Sequence, residues 1–292
     1  MFIGTTAVAA IGVPLYGVFY GFTAAPWIAF VLLFSACNMA ITTGYHRLWS
    51  HKAFDAHWSV RIVLMLVGAL ALENSILKWV ADHRRHHGSV DDIYKDPYSA
   101  RRGFWFSHMG WMLKDYPSAP LDFSNVRDIE QDPIVRWQHK HYVPLAVGLN
   151  LTVPAVLALL FGNWLEMYLV AGFLRLVVTH HTTFFINSLA HILGNQPYSN
   201  KNTARDNFIL AVLTFGEGYH NFHHAHPADY RNAVRFWQWD PTKWFIRLMW
   251  LFGLVRNLKV TSSARMAAMK KAMNGPVIYS SEIKRDGARP AA

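Results

Sequence analysis

The chain has sixteen histidines in 292 residues, and nine of them gather in short segments beside apolar stretches. These are His46 and His51 in H-R-L-W-S-H, His83, His86 and His87 in D-H-R-R-H-H, His191 in N-S-L-A-H, and His220, His223 and His224 in E-G-Y-H-N-F-H-H. Imidazole is a good ligand for first-row metals such as iron when neutral. Nine rings exceed the six or so that one ion takes, so the set predicts more than one metal ion. In two of the segments the rings stand at i, i+3 and i+4, which puts all three on one face of a helix and lets each triplet clamp one side of a site. Asn187 and His191 are also four apart. His46 and His51 are five apart and do not share a face of a straight helix, so a helix end is expected between them. A single H-x-x-H-H is more often a surface or capping feature, but three boxes in one chain call for metal.

Those rings need elements to hold them, and the composition says of what kind. With 52% hydrophobic and 16% charged residues and a mean hydropathy of +0.12, the chain is too apolar for an ordinary soluble protein and fits a membrane protein with a large polar part. The one cysteine, Cys37, excludes an intrachain disulfide. A net charge of +10 could suggest nucleic acid, but the basic residues form no recognition motif, and none is expected as a partner. No charged residue precedes Arg47, so the first 45 residues supply two spans of about 20 residues each, broken at Gly21 to Pro26. A cleavable signal peptide would want a basic start, which is absent. A second hairpin runs from Val143 to Phe161, turns at Gly162 and Asn163, and returns from Trp164 to about Ile186. Within it, Glu166 lies near the turn, and Arg175 is expected to face the bundle interior as a structural hydrogen-bond donor.

The stretch Val60 to Leu77 is apolar enough to span but carries Arg61, Glu73 and Asn74 and lies between the first two boxes. A crossing there would split the boxes across the membrane. If all boxes build one site, this segment lies on or under the bilayer. The expectation is an all-α membrane protein: four transmembrane helices in two hairpins beneath a helical cap that holds a dimetal site. The two outer turns contain no Lys or Arg, and the positive-inside rule makes the histidine side the cytoplasm. Trp237 to Leu258 reads as amphipathic and docked on the domain or the interface. The membrane domain is taken as 1–258, and the polar stretch 259–292 as a flexible cytoplasmic tail.

The four histidine segments, in this order and spacing, closely resemble those of the membrane fatty acyl desaturase family, specifically the Δ9 acyl-CoA type and its bacterial relatives, over roughly Ile41 to Leu258. The resemblance implies two irons, two electrons from a separate carrier such as a ferredoxin, rubredoxin or cytochrome with its reductase, and O2, used to turn a methylene pair into a cis double bond. It implies metal ligation by His46, His51, His83, His86, His87, His191, His220, His223 and His224, with Asn187 acting through a water. The resemblance to the bacterial relatives implies a bacterial inner membrane, where the charge pattern above makes the site face the cytoplasm.

Nine neutral rings leave the metal charge uncompensated, so nearby acids are candidates to orient ring N–H groups, and Asp82 and Glu217 stand beside boxes. Asn74, Trp79 and Asp82 match positions near the thioester in acyl-CoA desaturases. Ala81 stands where animal members carry Arg, and G-W-M-L-K-D-Y lacks the basic pair of those enzymes. Arg84, Arg85, Arg101, Arg102 and Lys114 could attract phosphates by charge alone. Acyl-CoA is the first choice of substrate, with a phospholipid-bound chain or acyl carrier protein open. Phe34 and Asn38, 12 and 8 residues before His46, are candidates for the floor of an acyl tunnel. Two rival readings stay open. A histidine-box hydroxylase acting on alkanes or fatty acids shares the metal chemistry, though the box spacings match desaturases better. A metal transporter would place its ligands at mid-bilayer, whereas these lie at span ends.

Overall fold

The computed structural model describes residues 2–114, 116 and 122–274. Among them, four helices are long and apolar enough to cross a membrane. They form two hairpins: α1 (Phe2–Phe19) with α2 (Ala24–Ser50), and α5 (Tyr142–Phe161) with α6 (Trp164–His191). The protein is an integral membrane protein of all-α architecture. Its described sheet is one two-residue pair, Asp55–Ala56 with Val255–Arg256.

Helix length explains where the histidines stand. α1 and α5 have 18 and 20 residues, about 27 and 30 Å at 1.5 Å per residue, which matches a hydrocarbon core of about 30 Å. α2 and α6 have 27 and 28 residues and overshoot that thickness by about 10 Å. The overshoot of α2 carries His46, and that of α6 carries Asn187 and His191. At the opposite end both hairpins turn tightly: Gly21, Gly162 and Asn163 all have positive φ. There the buried Glu166 accepts hydrogen bonds from the backbone and hydroxyl of Thr23 and the amide of Asn163, tying one turn to the other.

The segment between the first two boxes does not cross. It folds as α3 (Trp58–Leu70), 13 residues long, about 20 Å and too short to span. Positive φ at Leu72 and Asn74 then breaks the chain, and Ser75 caps α4 (Ile76–Gly88) by accepting from the Lys78 N–H at 3.3 Å. Gly68 on α3 lets the Tyr45 ring of α2 approach where any side chain would collide. Arg175 is fully buried and donates to the Leu70 carbonyl at 3.0 Å, the Asn150 amide oxygen at 2.7 Å and the Ala171 carbonyl at 3.2 Å. It thus joins α6 to α3 and α5, and its charge meets oxygen rather than lipid.

The cap is completed by α7 (His220–Ala225), α8 (Pro241–Leu251) and α9 (Ser263–Asn274). Ile246 and Met249 of α8 enter the core, while Trp244, Leu248, Trp250 and Leu251 face outward, an apolar outer face suited to the membrane interface. Lys259 pairs through its backbone with Ala53 and Tyr230, and the first part of the polar C-terminal stretch is helical as α9. Residues 275–292 of that stretch lie outside the described residues.

Candidate metal centre

The nine boxed histidines converge as two groups: His46, His51, His83, His87 and His223 in one, and His86, His191, His220 and His224 in the other, with the candidate ligand atoms of each within 4.8 Å of one another. Helix periodicity explains the partition. In each H-x-x-H-H box the i+4 ring is rotated about 40° one way from the first ring and the i+3 ring about 60° the other way. The first and i+4 rings therefore serve one cluster and the i+3 ring the other. α4 gives its pair to the five-ring cluster and α7 gives its pair to the four-ring cluster.

His46 and His51 do flank a helix end, since α2 stops at Ser50, but their rings also meet, edge to face. Residues 41–50 wind as a π-helix, and the His51 N–H donates to the His46 carbonyl five residues back at 3.1 Å. That wider turn brings i and i+5 onto one side, with ring centroids 4.8 Å apart. Arg84 fixes this end by donating to the carbonyls of Trp49 and Ser50, each at 2.9 Å, which no intrahelical partner would satisfy.

The donor chemistry of the clusters fits metal. His46 donates its Nδ1–H to Glu217 at 2.9 Å and His86 donates its Nδ1–H to Asp96 at 2.9 Å, which leaves both Nε2 atoms as lone pairs. Nε2 atoms face each other at 2.8 Å (His51 and His83), 3.0 Å (His46 and His223, His87 and His223, His220 and His224) and 3.1 Å (His191 and His220). His223 has one proton at most to place between His46 and His87. Cations at the two foci would turn this repulsion into ligation. Burial first, and the neighbouring rings second, push His51, His83, His87, His220, His223 and His224 well below the usual histidine range, so they are neutral at pH 7 as ligation requires.

Glu217 sits in a buried lattice. Arg47, adjacent to His46, donates to Glu217 at 3.0 Å, to Asp240 at 3.0 and 3.2 Å and to the Tyr230 carbonyl at 2.9 Å, and Asn232 donates to Glu217 at 2.7 Å. Burial pushes the Glu217 carboxyl up, but His46 and Arg47 outweigh it and lower it to about 2. The F-G-E-G turn makes this possible. Phe215 adopts a left-handed φ of 54°, unusual for a bulky residue. A Cβ on Gly216 would lie 2.6 Å from an Asp240 oxygen, and one on Gly218 would strike the backbone of Ala211.

A cavity runs from the rings of His46, His83, His86 and His220 to α2 and α6, where Ile41, Thr42, Thr183, Phe184 and Asn187 form its wall. Asn74, Trp79 and Asp82 line it as well. Trp79 stacks on His83 with centroids 4.8 Å apart. Asp82, expected to orient a ring, pairs instead with Arg85 at 2.8 Å; the acid that takes that place behind α4 is Asp96. Phe34 and Asn38 do not line the described cavity. The Phe34 ring stacks on Phe30 and meets Phe215 edge-on at 5.8 Å, and the Asn38 amide donates to the Phe34 carbonyl at 2.9 Å. Arg84 is consumed by the fold, and Arg102 lies over the Phe106 ring at 3.6 Å. Of the remaining histidines, His180 faces the Ala71 carbonyl at 3.0 Å and also lines the cavity, and His108 pairs with His181 at 2.9 Å.

Sequence reasoning passed over Arg47, Asp96 and Glu73. Glu73 lies in the cavity wall, accepting from the Thr183 hydroxyl at 2.8 Å and the Trp79 indole at 3.3 Å. Burial raises its carboxyl to about 7. The signal for Arg47 was its place as the first charge in the chain beside a box. Asp96, ten residues beyond His86, gave none.

Comparison with known proteins fits this geometry. The sequence model described as fatty acid desaturase matches residues 8–255. The chain belongs to the fatty acid desaturase family. It is 44% identical over 248 residues to the Schizosaccharomyces pombe protein named "Probable acyl-CoA desaturase", covering 84% of this chain and 52% of that protein. It is 42% identical over 255 residues to acyl-CoA desaturase 1 of Saccharomyces cerevisiae, covering 85% and 50%, and 33% identical over 276 residues to human stearoyl-CoA desaturase, covering 89% and 75%. The chain spans about half the length of the two yeast relatives. All three relatives are eukaryotic.

Proposed function

We propose that the protein is an O2-dependent acyl desaturase that inserts a cis double bond, at Δ9, into a saturated acyl-CoA. The observation that carries this reading is the cavity that joins both imidazole clusters to the spaces along α2 and α6. The net change is –CH2–CH2– + O2 + 2e⁻ + 2H⁺ → –CH=CH– + 2H2O, with the electrons from a separate carrier protein such as a ferredoxin, rubredoxin or cytochrome. His46, His51, His83, His87 and His223 would hold one iron, and His86, His191, His220 and His224 the other, with Asn187 reaching the second through water. Two irons in these places would supply the activation of O2. The protein's own part is to seat the chain against Trp79 and Thr183, keep bulk water from the buried rings, and hold Nε2 lone pairs inward through Glu217 and Asp96. The names of the relatives and the Asn74, Trp79 and Asp82 positions support acyl-CoA as substrate. The absence of Lys and Arg from the outer turns supports a cytoplasmic site, which in a bacterial cell means the inner membrane.

The test is expression in a host that makes saturated acyl chains, with analysis of double-bond position, beside iron analysis of the purified protein. Two irons per chain and a Δ9 product are expected, and His86→Ala or His223→Ala should abolish the product while His57→Ala, which removes only a cap of α3, should not. A hydroxylated product, or full activity in both box variants, would refute the reading.

A further inference from the structure

The four-ring cluster holds a second chain of contacts behind His191. Its Nδ1 lies 2.9 Å from the Thr203 hydroxyl, which lies 2.6 Å from one oxygen of Asp91, while the Thr203 N–H donates to the other oxygen at 2.8 Å. Asp91 sits at a left-handed φ of 71°, and its own N–H donates to Asp96 at 3.1 Å. Asp96 is the partner of His86. One loop after α4 therefore stands behind two of the four rings.

Proton counting gives this chain a direction. A carboxylate only accepts, and a threonine hydroxyl has one proton. If Thr203 gives that proton to Asp91, as the short contact and the geometry favour, it can only accept from His191. His191 then carries its proton on Nδ1, and its Nε2, which faces His220 at 3.1 Å, is a lone pair. Nothing else among the described residues fixes that tautomer.

We propose that Thr203 and Asp91 act as a polarised relay that locks His191 in its Nδ1–H form and so presents Nε2 to the metal of the four-ring cluster. They are positioning residues, and the assignment rests on the two-iron reading above. A second consequence follows from polarity. In Asp91→Asn the new carboxamide can donate to the Thr203 oxygen, which frees the hydroxyl proton to turn toward His191. The ring would then hold its proton on Nε2, the atom needed for metal. Reversing the relay should therefore be at least as harmful as breaking it.

The experiment uses the purified holoprotein in detergent, loaded with ⁵⁷Fe, and reads iron per chain, the Mössbauer signal of each site and the rate of iron release to a chelator. Thr203→Val should release one of two irons roughly 10- to 100-fold faster, the usual scale for loss of such a partner. The other iron, in the five-ring cluster, should be retained and so report that the variant is folded. Thr203→Ser should restore wild-type release. Asp91→Asn should be at least as fast as Thr203→Val, and the double variant should equal Thr203→Val alone, since no hydroxyl is left to reverse. Wild-type release in Thr203→Val, equal loss in Thr203→Ser, or a harmless Asp91→Asn would overturn the relay while leaving the two-iron reading intact. A wild-type protein that holds fewer than two irons would remove that reading, and the relay with it.

Discussion

Behind the five-ring cluster stands a lattice of Arg47, Glu217 and Asp240, drawn from α2, the F-G-E-G turn and the start of α8, with each residue at most 2% exposed. Behind the four-ring cluster stand Asp96 and Asp91, five residues apart on one loop. The ligand chemistry of the two clusters is the same, yet one is braced across about 190 residues of sequence by a guanidinium shared between two carboxylates. The other is braced by two acids of one loop, Asp96 on the nearby His86 and Asp91 on the distant Thr203, with no cation shared between them among the described residues. A buried guanidinium shared by two carboxylates is stable only while every partner is present. Asp96 is as buried, but among the described residues it accepts only from the His86 ring and the Asp91 and Tyr98 N–H groups, so altering it strands no opposite charge and costs less. The five-ring cluster should therefore be the one whose disturbance unfolds the cap, and the four-ring cluster the one whose disturbance loosens metal.

The largest effect is expected from Glu217→Ala. It removes the acceptor of His46 and leaves Asp240 as the one carboxylate against Arg47, a broken buried pair worth about 3–5 kcal/mol. Thermal unfolding in detergent should show that loss together with iron loss from the five-ring cluster. Next comes Asp96→Asn, where the carboxamide oxygen can still accept from His86. The amide nitrogen then faces the Asp91 N–H that the carboxylate accepted, which costs about 1–3 kcal/mol of stability, less than Glu217→Ala, and the four-ring iron should leave about ten-fold faster. If Asp96→Asn were the more destabilising of the two, the contrast between lattice and loop would be wrong.

Acid should separate the clusters in the same order. Glu217 is lowered from 4.5 to about 2 in the folded chain, so its contribution is fully present above pH 4.5 and is lost as pH falls from 4.5 toward 2. The buried histidines, lowered as well, withdraw stability from both wild type and variant as pH falls below 6.5. The difference in melting temperature between metal-free wild type and Glu217→Gln should thus be constant from pH 5 to 7 and shrink at pH 4 and 3. A difference that held constant to pH 3 would mean that Glu217 is not held as an anion by His46 and Arg47.

Much of this architecture is readable from residues alone because it rests on period and length. The i, i+3, i+4 spacing placed three rings on one face, the uncharged first 45 residues gave a hairpin, and the demand for one site kept Val60 to Leu77 out of the membrane. The unread part depends on contacts between distant segments. Asp82 beside His83 was the nearer acid by sequence, but on α4 it is one residue from the ring and points to Arg85 instead. Asp96 reaches His86 only because the loop returns. The π-helical turn at 41–50 was invisible because a straight helix separates positions five apart. Glu73 was counted as an obstacle to a span, whereas it belongs to the cavity wall.

The smallest expected effect tests whether the lattice side also sets how deep the acyl chain lies. Phe215 precedes Glu217 by two residues on the same strained turn and presses on Phe34. Phe34 lies eight residues below Thr42, the cavity wall residue on α2, so about 12 Å further into the membrane. The support of the five-ring cluster thus continues down to the ring that would close the tunnel, and among the described residues nothing comparable descends from the loop behind the other cluster. Phe34→Ala removes that ring in a half-buried place where its neighbours can close in. It should shift the preferred substrate toward longer chains, leave the double bond at the same distance from the thioester, and change five-ring iron release less than two-fold. Asn38→Ala, which loses only a bond to the Phe34 carbonyl, should shift chain length less. An unchanged chain-length profile in stable, active Phe34→Ala would place the floor of the tunnel elsewhere. A lengthened profile accompanied by rapid five-ring iron loss would instead show that Phe34 acts through Phe215 on Glu217, making depth and metal support a single mechanical unit.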